Sequence, residues 1–224
     1  MTESMIHEPS LAAIRQALGR PLPGRVAQIR MSTRPRPGLE VRPPGHQPRQ
    51  GGVLILLYPK DGRLHFPLTR RTETLEDHKG QISLPGGARE GDEPLEWTAL
   101  RETHEELGVD PQSVEILGVL TPLYIFPSDY CITPYVAARP DRPTFVPDPV
   151  EVAEVLEVPL VTLLDPTIRR EEEWILHGIT TRVPFYQIGE HKVWGATAMV
   201  LSEFVVVLGG QSWRSGNNNE KATI

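Results

Sequence analysis

Three glutamates, Glu102, Glu105 and Glu106, follow a glycine pair, Gly86-Gly87, with Arg101 immediately before them. On a helix the three carboxylates are spaced i, i+3 and i+4 and share one face. Like charges so placed repel, each i,i+4 contact costing about 0.2–0.5 kcal/mol even in water. A hard divalent cation removes that cost, since Mg²⁺ is held by one or two carboxylates together with waters and substrate phosphates. The chemistry this set suits is metal-assisted work on a phosphate. A solvated acidic helix is the plainer alternative, but such a helix needs neither the glycines nor Arg101 at a fixed spacing.

These residues require a helix and a turn to position them. Asp92 is a plausible N-cap, Pro94 suits the first helical turn, and Gly108 supplies a stop signal. Leu100, Thr103 and Leu107 fall on the opposite face and are expected to pack inward. Arg101 lies one turn before Glu105 and is expected to orient it; Glu93 is expected to support the loop–helix junction. Pro85 fixes the approach to the glycine pair, whose freedom allows close contact with a ligand. Gly86 and Gly87 are therefore candidates for substrate contact, and the Gly86 carbonyl is a candidate metal ligand. A plain turn is the alternative for Pro85-Gly86-Gly87. Arg70 and Arg71 are candidates for bidentate contact with phosphate, against the alternative of surface charge. His78 and His104 show no metal-ligand spacing, and a loop or surface role is expected for both.

Taken in order, residues Pro9 to Leu18 read as a short amphipathic helix, with Leu11, Ile14 and Leu18 at helical spacing. Arg20 to Gly51 is rich in Pro, Arg and Gly and reads as an extended arm rather than a core element. Gly52 to Tyr58 is a continuous apolar run suited to a buried strand, and Asp61-Gly62 signals a hairpin with a return strand over Leu64 to Thr69. A loop from Arg70 to Leu84 leads to the glycine pair. Beyond the acidic helix, Val114 to Leu120 and Ile132 to Ala138 read as strands, with an aromatic loop between them. Val150 to Pro159 carries Glu151, Glu154 and Glu157. Trp174 to His177 with Val183 to Ile188 suggests a further hairpin, Gly195 to Leu208 a packed helix, and the tail from Gln211 a disordered end. Strands interleaved with helices point to a mixed sheet covered on both faces.

The chain has 224 residues, enough for one sizeable domain with extensions, and a net charge of −6, which argues against a general nucleic-acid binder. A nucleotide substrate stays open, because a bound metal changes the local sign of charge. A single cysteine, Cys131, excludes an internal disulfide and suits a reducing cytoplasm. No apolar run reaches the ~18 residues needed to span a membrane, no signal-peptide pattern is present, and the N-terminal helix is a candidate homodimer contact.

The full spacing is specific: Gly87, five residues, Glu93, seven residues, then Arg101-Glu102-Thr103-His104-Glu105-Glu106-Leu107-Gly108-Val109. It resembles the box of the Nudix hydrolase superfamily, with Thr103 where an aliphatic residue is more usual. The resemblance implies an α/β/α sandwich with a mixed β-sheet over residues 48–209, flanked by an N-terminal helix and arm (1–47) and a polar tail (210–224). It implies hydrolysis of the diphosphate linkage of a small nucleotide substrate, with Mg²⁺, or Mn²⁺ in its place, on Glu102, Glu105, Glu106 and the Gly86 carbonyl. The proton acceptor would be Glu102 or, since family members often take the base from outside the box, Glu151 or Glu154.

The stretch Leu68 to Gly87 is similar to the signature of the coenzyme A diphosphatase branch, through Leu68-Thr69, Arg71, Leu75, His78, Gly80-Gln81 and Ser83. Glu151 to Leu160 and Val193 to Ala198 are similar to the same branch. The chain departs from it at Glu76, where arginine is common, at Leu84, where Phe is preferred, and at Ser128-Asp129-Tyr130, where Ser-Gly-Phe is more usual. Glu76 reverses a charge, which leaves ADP-ribose or a nucleoside triphosphate as alternative substrates. A non-catalytic nucleotide-sensing module is the alternative from another class, although such modules usually lose a glutamate of the box.

Overall fold

The computed structural model describes residues 8–35, 45–73 and 80–209. Its elements run α1 (Leu11–Leu18), α2 (Arg25–Gln28), β1 (Arg49–Lys60), β2 (Arg63–Arg71), β3 (Ile82–Ser83), β4 (Gly86–Ala88), α3 (Leu95–Leu107), β5 (Glu115–Val119), β6 (Leu123–Ile125) and β7 (Tyr130–Ala138). They continue with β8 (Val152–Pro159), α4 (Leu160–Leu163), β9 (Arg169–Leu176), β10 (Ile179–Ile188), β11 (His191–Trp194) and α5 (Gly195–Val207). One mixed sheet has the order β3-β2-β1-β7-β5, with β4 beside β1, β6 beside β7 and β8 beside β2. A second, antiparallel sheet has the order β11-β10-β9.

The apolar run in β1 explains the layering. A strand buried on both faces reads as a continuous hydrophobic stretch, and here alternate residues enter two different cores. Leu54, Leu56 and Tyr58 pack with Ala99, Leu100 and Leu107 of α3. Ile55 and Leu57 pack with Ile14 and Leu18 of α1 and with Val200, Leu201 and Phe204 of α5. The mixed sheet is thus sandwiched between helices, as the pattern predicts. The turn at Asp61-Gly62 has both residues at positive φ, 51° and 75°, the combination a two-residue hairpin demands. Strand β1 also pairs in parallel with β7 and antiparallel with β4, aligning Gly52 with Gly87 and Val53 with Gly86.

Two expectations need correction. Residues 20–51 are not simply an extended arm. After α2, a 3-10 turn over Ile29–Met31 brings Met31 fully into the core, and Gln28 is buried with its amide donating to Glu203 and to the Thr121 carbonyl. A four-residue helix has too few residues to show a period. Nor is Asp92 the cap of the acidic helix. Pro94 occupies that position with φ −60° and ψ 139°, and α3 begins at Leu95 without a side-chain cap. Proline has no side-chain oxygen to offer, and Glu93 takes over the junction, accepting from the Glu90 N–H at 3.1 Å and the Thr98 hydroxyl at 2.8 Å. Both strands of the β9–β10 hairpin start earlier than expected, at Arg169 rather than Trp174 and at Ile179 rather than Val183, while β10 ends at Ile188 as expected; the aromatic loop contains β6 and a further 3-10 turn. Residues 74–79 and 210–224, with Leu75, Glu76, His78 and the polar tail, lie outside the described residues. Among the described residues no helix is long and apolar enough to cross a membrane.

Helix α3 sits directly on β1 at Gly52, where a Cβ would lie 2.4 Å from the Leu95 carbonyl oxygen and 2.9 Å from the Ala99 nitrogen. Both obstacles are backbone, so only separation of helix and strand relieves the clash. Gly52→Ala is expected to cost about 1–3 kcal/mol by overpacking. Urea unfolding followed by circular dichroism measures this, and an unchanged midpoint would show that α3 is not seated there.

Candidate active site

Arg101 is the anchor of the acidic helix. Its guanidinium donates to both Glu93 carboxylate oxygens at 2.9 and 3.2 Å, to the Ala88 carbonyl at 3.0 Å, to Glu102 at 3.0 Å and to Glu105 at 2.9 Å. The i,i+4 contact with Glu105 is the one the spacing predicts. The Arg101 bond is the main reason the Glu93 carboxyl is held down at about 2. Arg101 and Glu93 are mostly buried, while Glu105 remains 55% exposed in its side chain. One cation therefore fixes the loop–helix junction and two of the three box glutamates together.

Glu106 has the opposite environment. It is 4% exposed, and its Oε2 is buried without a hydrogen-bond partner among the described residues. Burial pushes its carboxyl up to about 8 against the pull of nearby Arg71, with Glu151 and Glu102 pushing the same way and a hydrogen bond from the Gly86 backbone opposing them. Glu102 is also raised by burial, against Arg101. Gly87 lies against Glu102: a Cβ there would be 2.4 Å from that carboxylate and would displace it. Gly86, at φ 143°, approaches β1 so closely that its Cβ would lie 2.3 Å from the Gly52 carbonyl oxygen. Any side chain would push the turn away from Glu106.

The loop after β7 completes the group. The last carbonyls of a helix lack internal partners, and here Glu106 and Leu107 give theirs to the N–H groups of Asp148 and Val146 at 3.0 and 2.8 Å. Thr72 then ties the loop to β2, its hydroxyl donating to the Val150 carbonyl and its N–H to the Glu151 carbonyl. Glu151 is thereby delivered beside Arg71, 3.9 Å away. The pairing of β2 with β8 shifts at this point, from Arg70–Glu154 to Arg71–Val152. Arg70 binds Glu154 at 2.9 Å, and Glu154 also lies 3.5 Å from His191. The structure thus brings together Glu102, Glu106, Glu151, Arg71 and the Gly86-Gly87 turn. It engages Arg70 with Glu154 instead.

Among the described residues no three acidic or imidazole groups converge as a ready metal cage, because Arg101 draws Glu102 and Glu105 to itself. The donor set nonetheless fits a hard cation: a buried carboxylate oxygen on Glu106 with no partner among the described residues, beside the carboxylates of Glu102 and Glu151. The departures from the box and branch patterns have local explanations. The Thr103 hydroxyl donates to the Ala99 carbonyl at 2.7 Å, so a buried threonine replaces an aliphatic residue with no unpaired group. Asp129 has φ 50°, a conformation glycine adopts freely and Asp tolerates. Its carboxylate meets Tyr124 and His46 at 2.9 and 2.8 Å. Sequence reasoning missed Tyr130 and Arg49 as neighbours of the site. Tyr130 feels the charge of Glu102 and packs over Gly51; the glycine at 51, facing that ring across the sheet, was the available signal.

The site thus joins a mixed sheet, a glycine turn and an acidic helix, an α/β arrangement that comparisons with known proteins place in a family. The NUDIX domain model matches residues 48–179. The chain is 38% identical over 172 residues to "Nudix hydrolase 22, chloroplastic" of Arabidopsis thaliana, covering 72% of this chain and 56% of that protein. It is 37% identical over 158 residues to the uncharacterized Nudix hydrolase NudL of Photorhabdus laumondii, covering 69% of this chain and 82% of the relative. A MutT/nudix family protein from Enterococcus faecalis superposes with a TM-score of 0.49 at 19% identity, covering 73% of this chain and 63% of the other. The chain belongs to the Nudix family. It spans little more than half the length of the Arabidopsis relative.

The two shifted carboxyls act in separate pH windows. Glu93, lowered, contributes stability that is full above its unfolded value of 4.5 and lost as the pH falls toward 2. Glu106, raised, contributes stability that is full below 4.5 and lost as the pH climbs toward 8. With EDTA present, the wild type is expected to lose Tm relative to Glu106→Gln between about pH 5 and 8. Added Mn²⁺ is expected to raise the wild-type Tm most at the top of that window, since binding needs the charged carboxylate. Parallel melting profiles for the two proteins would contradict this assignment.

Proposed function

We propose that this chain is a divalent-metal-dependent pyrophosphohydrolase, cleaving the diphosphate linkage of a nucleoside diphosphate derivative, with a coenzyme A-like substrate favoured. The observation that carries the reading is the buried Glu106 oxygen with no partner, set beside Glu102 and Glu151 at a glycine turn. Such an excess of carboxylate in a dry site is costly unless a cation is there to use it. Glu102 and Glu106, with Glu105 from the solvent side and the Gly86 carbonyl, would hold Mg²⁺, or Mn²⁺ in its place. When bound, such an ion supplies charge neutralisation for the diphosphate and acidifies water.

The remaining roles fall to the chain's own side chains. Arg101 holds Glu102 and Glu105 in place and is itself locked by Glu93. Arg71 has a buried Nε without a hydrogen-bond partner among the described residues and lies beside the carboxylates, which suits contact with a substrate phosphate. Arg70, engaged by Glu154, is less suited to it. Glu151, 45% exposed in its side chain and delivered by its loop to the same place, is the preferred proton acceptor, with Glu102 the alternative. Glu154 is occupied by Arg70 and His191.

The coenzyme A-like preference rests on Leu68-Thr69, Arg71, Gly80-Gln81 and Ser83, and on a backbone at Asp129 that suits the glycine usual there. Glu76 is the residue that favours ADP-ribose or a nucleoside triphosphate instead. Phosphate release, coupled to a phosphatase, from coenzyme A, ADP-ribose, NADH, dinucleoside polyphosphates and nucleoside triphosphates ranks these by kcat/KM. Glu105→Gln and Glu106→Gln are each expected to lower kcat on the best substrate by about 10²-fold or more with the fold intact. Wild-type turnover in both would rule out this site. Tight binding without hydrolysis across the panel would instead indicate a sensing module.

A further inference from the structure

The arginines around the carboxylate group differ in one respect. Arg101 is committed to Glu93, Glu102 and Glu105, and Arg70 to Glu154. Arg71 faces Glu151 at 3.9 Å, and Arg89 donates to the Glu93 carbonyl and the Gln50 side chain. Arg49, exposed at the start of β1, has no carboxylate within ion-pair distance among the described residues. Its guanidinium carbon lies over the Tyr130 ring, 5.1 Å from the centroid.

That position is built by the sheet. Arg49 is in register with Tyr130 on the parallel neighbour β7, and its N–H donates to the Asp129 carbonyl at 3.0 Å. The Tyr130 ring occupies the space where a side chain at 51 would stand: a Cβ there would be 2.6 Å from Tyr130 Cε1 and 2.4 Å from the Gly87 carbonyl oxygen. Gly87 in turn lies against the Glu102 carboxylate. Arg49, Tyr130, Gly51, Gly87 and Glu102 therefore form one continuous series of contacts, with an uncommitted cation at the outer end and the carboxylates at the inner end. A guanidinium over an aromatic ring is steered by the ring while its N–H groups remain available for a bidentate anion.

We propose that Arg49, seated on Tyr130, recognises a phosphate of the nucleotide ligand, one other than any neutralised at Glu102 and Glu106. The inference rests on the reading of the site as one that takes nucleoside diphosphate derivatives. A phosphate at the outer end would place the ligand across the Gly86-Gly87 turn, with Tyr130 beside it. Tyr130 supports Arg49 and is a positioning residue.

Calorimetric titration of the full chain with ADP and with adenosine, in the presence of Ca²⁺, tests this. Arg49→Gln is expected to weaken ADP binding about ten-fold, the usual worth of a charge-assisted contact, and to leave adenosine unaffected. Arg49→Lys is expected to recover part of the loss, and Arg63→Gln, which removes the same charge from the distant hairpin, none of the effect. For whichever substrate the panel identifies, KM is expected to rise in Arg49→Gln with kcat little changed. Equal ADP affinity in Arg49→Gln and wild type, an equal loss in Arg63→Gln, or no ADP binding by the wild type would each overturn the inference. Loss of ADP affinity in Arg49→Gln by a protein that hydrolyses nothing in the panel would uphold this contact and overturn the hydrolase reading. Hydrolysis at unchanged KM in Arg49→Gln would do the reverse.

Discussion

A buried carboxylate with one oxygen left unpaired is the constraint to which the rest of the site answers. Glu106 sits in the last turn of α3, where the helix meets the sheet, and water cannot reach its Oε2. Burying a charge is costly unless a counter-charge accompanies it. Arg71 pulls on Glu106 only partly, and the other arginine of the site, Arg101, is directed elsewhere by Glu93. The bonds of Arg101 to Glu93 and the Ala88 carbonyl hold it at the loop–helix junction, so it does not compensate Glu106. The same Arg101 keeps Glu102 and Glu105 on the near side of the turn. Glycine at 86 and 87 follows, because the backbone must pass within contact distance of both β1 and the Glu102 carboxylate.

The sheet converts this local arrangement into a defined group of side chains. Gly52 lets α3 rest on β1, and β4 pairs antiparallel with the same stretch, so helix and glycine turn are referenced to one strand. The orphan carbonyls at the end of α3 capture the loop that carries Glu151, and the shift of register in β8 separates the Arg71–Glu151 side from the Arg70–Glu154 side. Two arginines adjacent in sequence thereby acquire different company: one joins the carboxylate group, the other is neutralised on the strand pair.

Much of this was legible in the sequence, and the boundary is a physical one. The apolar run 52–58, the Asp61-Gly62 turn, the inward face of Leu100, Thr103 and Leu107, and the Arg101–Glu105 contact all follow from short periods and from the side chains themselves. What failed to show depended on tertiary partners. The helical turn at 25–31 is held by Glu203 across the chain, not by its own period. The displaced cap at Pro94 depended on Glu93 reaching Thr98 and Arg101. The split between Arg70 and Arg71 arose from an irregularity in a strand pair that no local pattern announces. Asp129 shows the reverse: a departure from the usual glycine is conservative once its left-handed backbone is known.

The central claim is that the buried Glu106 carboxylate and its neighbours exist to receive a divalent ion. Anomalous diffraction from crystals soaked in Mn²⁺ tests it directly. The account requires a strong anomalous peak within coordinating distance of Glu106 and Glu102, with Arg101 still bonded to Glu93. A peak elsewhere, or Glu106 unchanged and without an ion at saturating Mn²⁺, would contradict it.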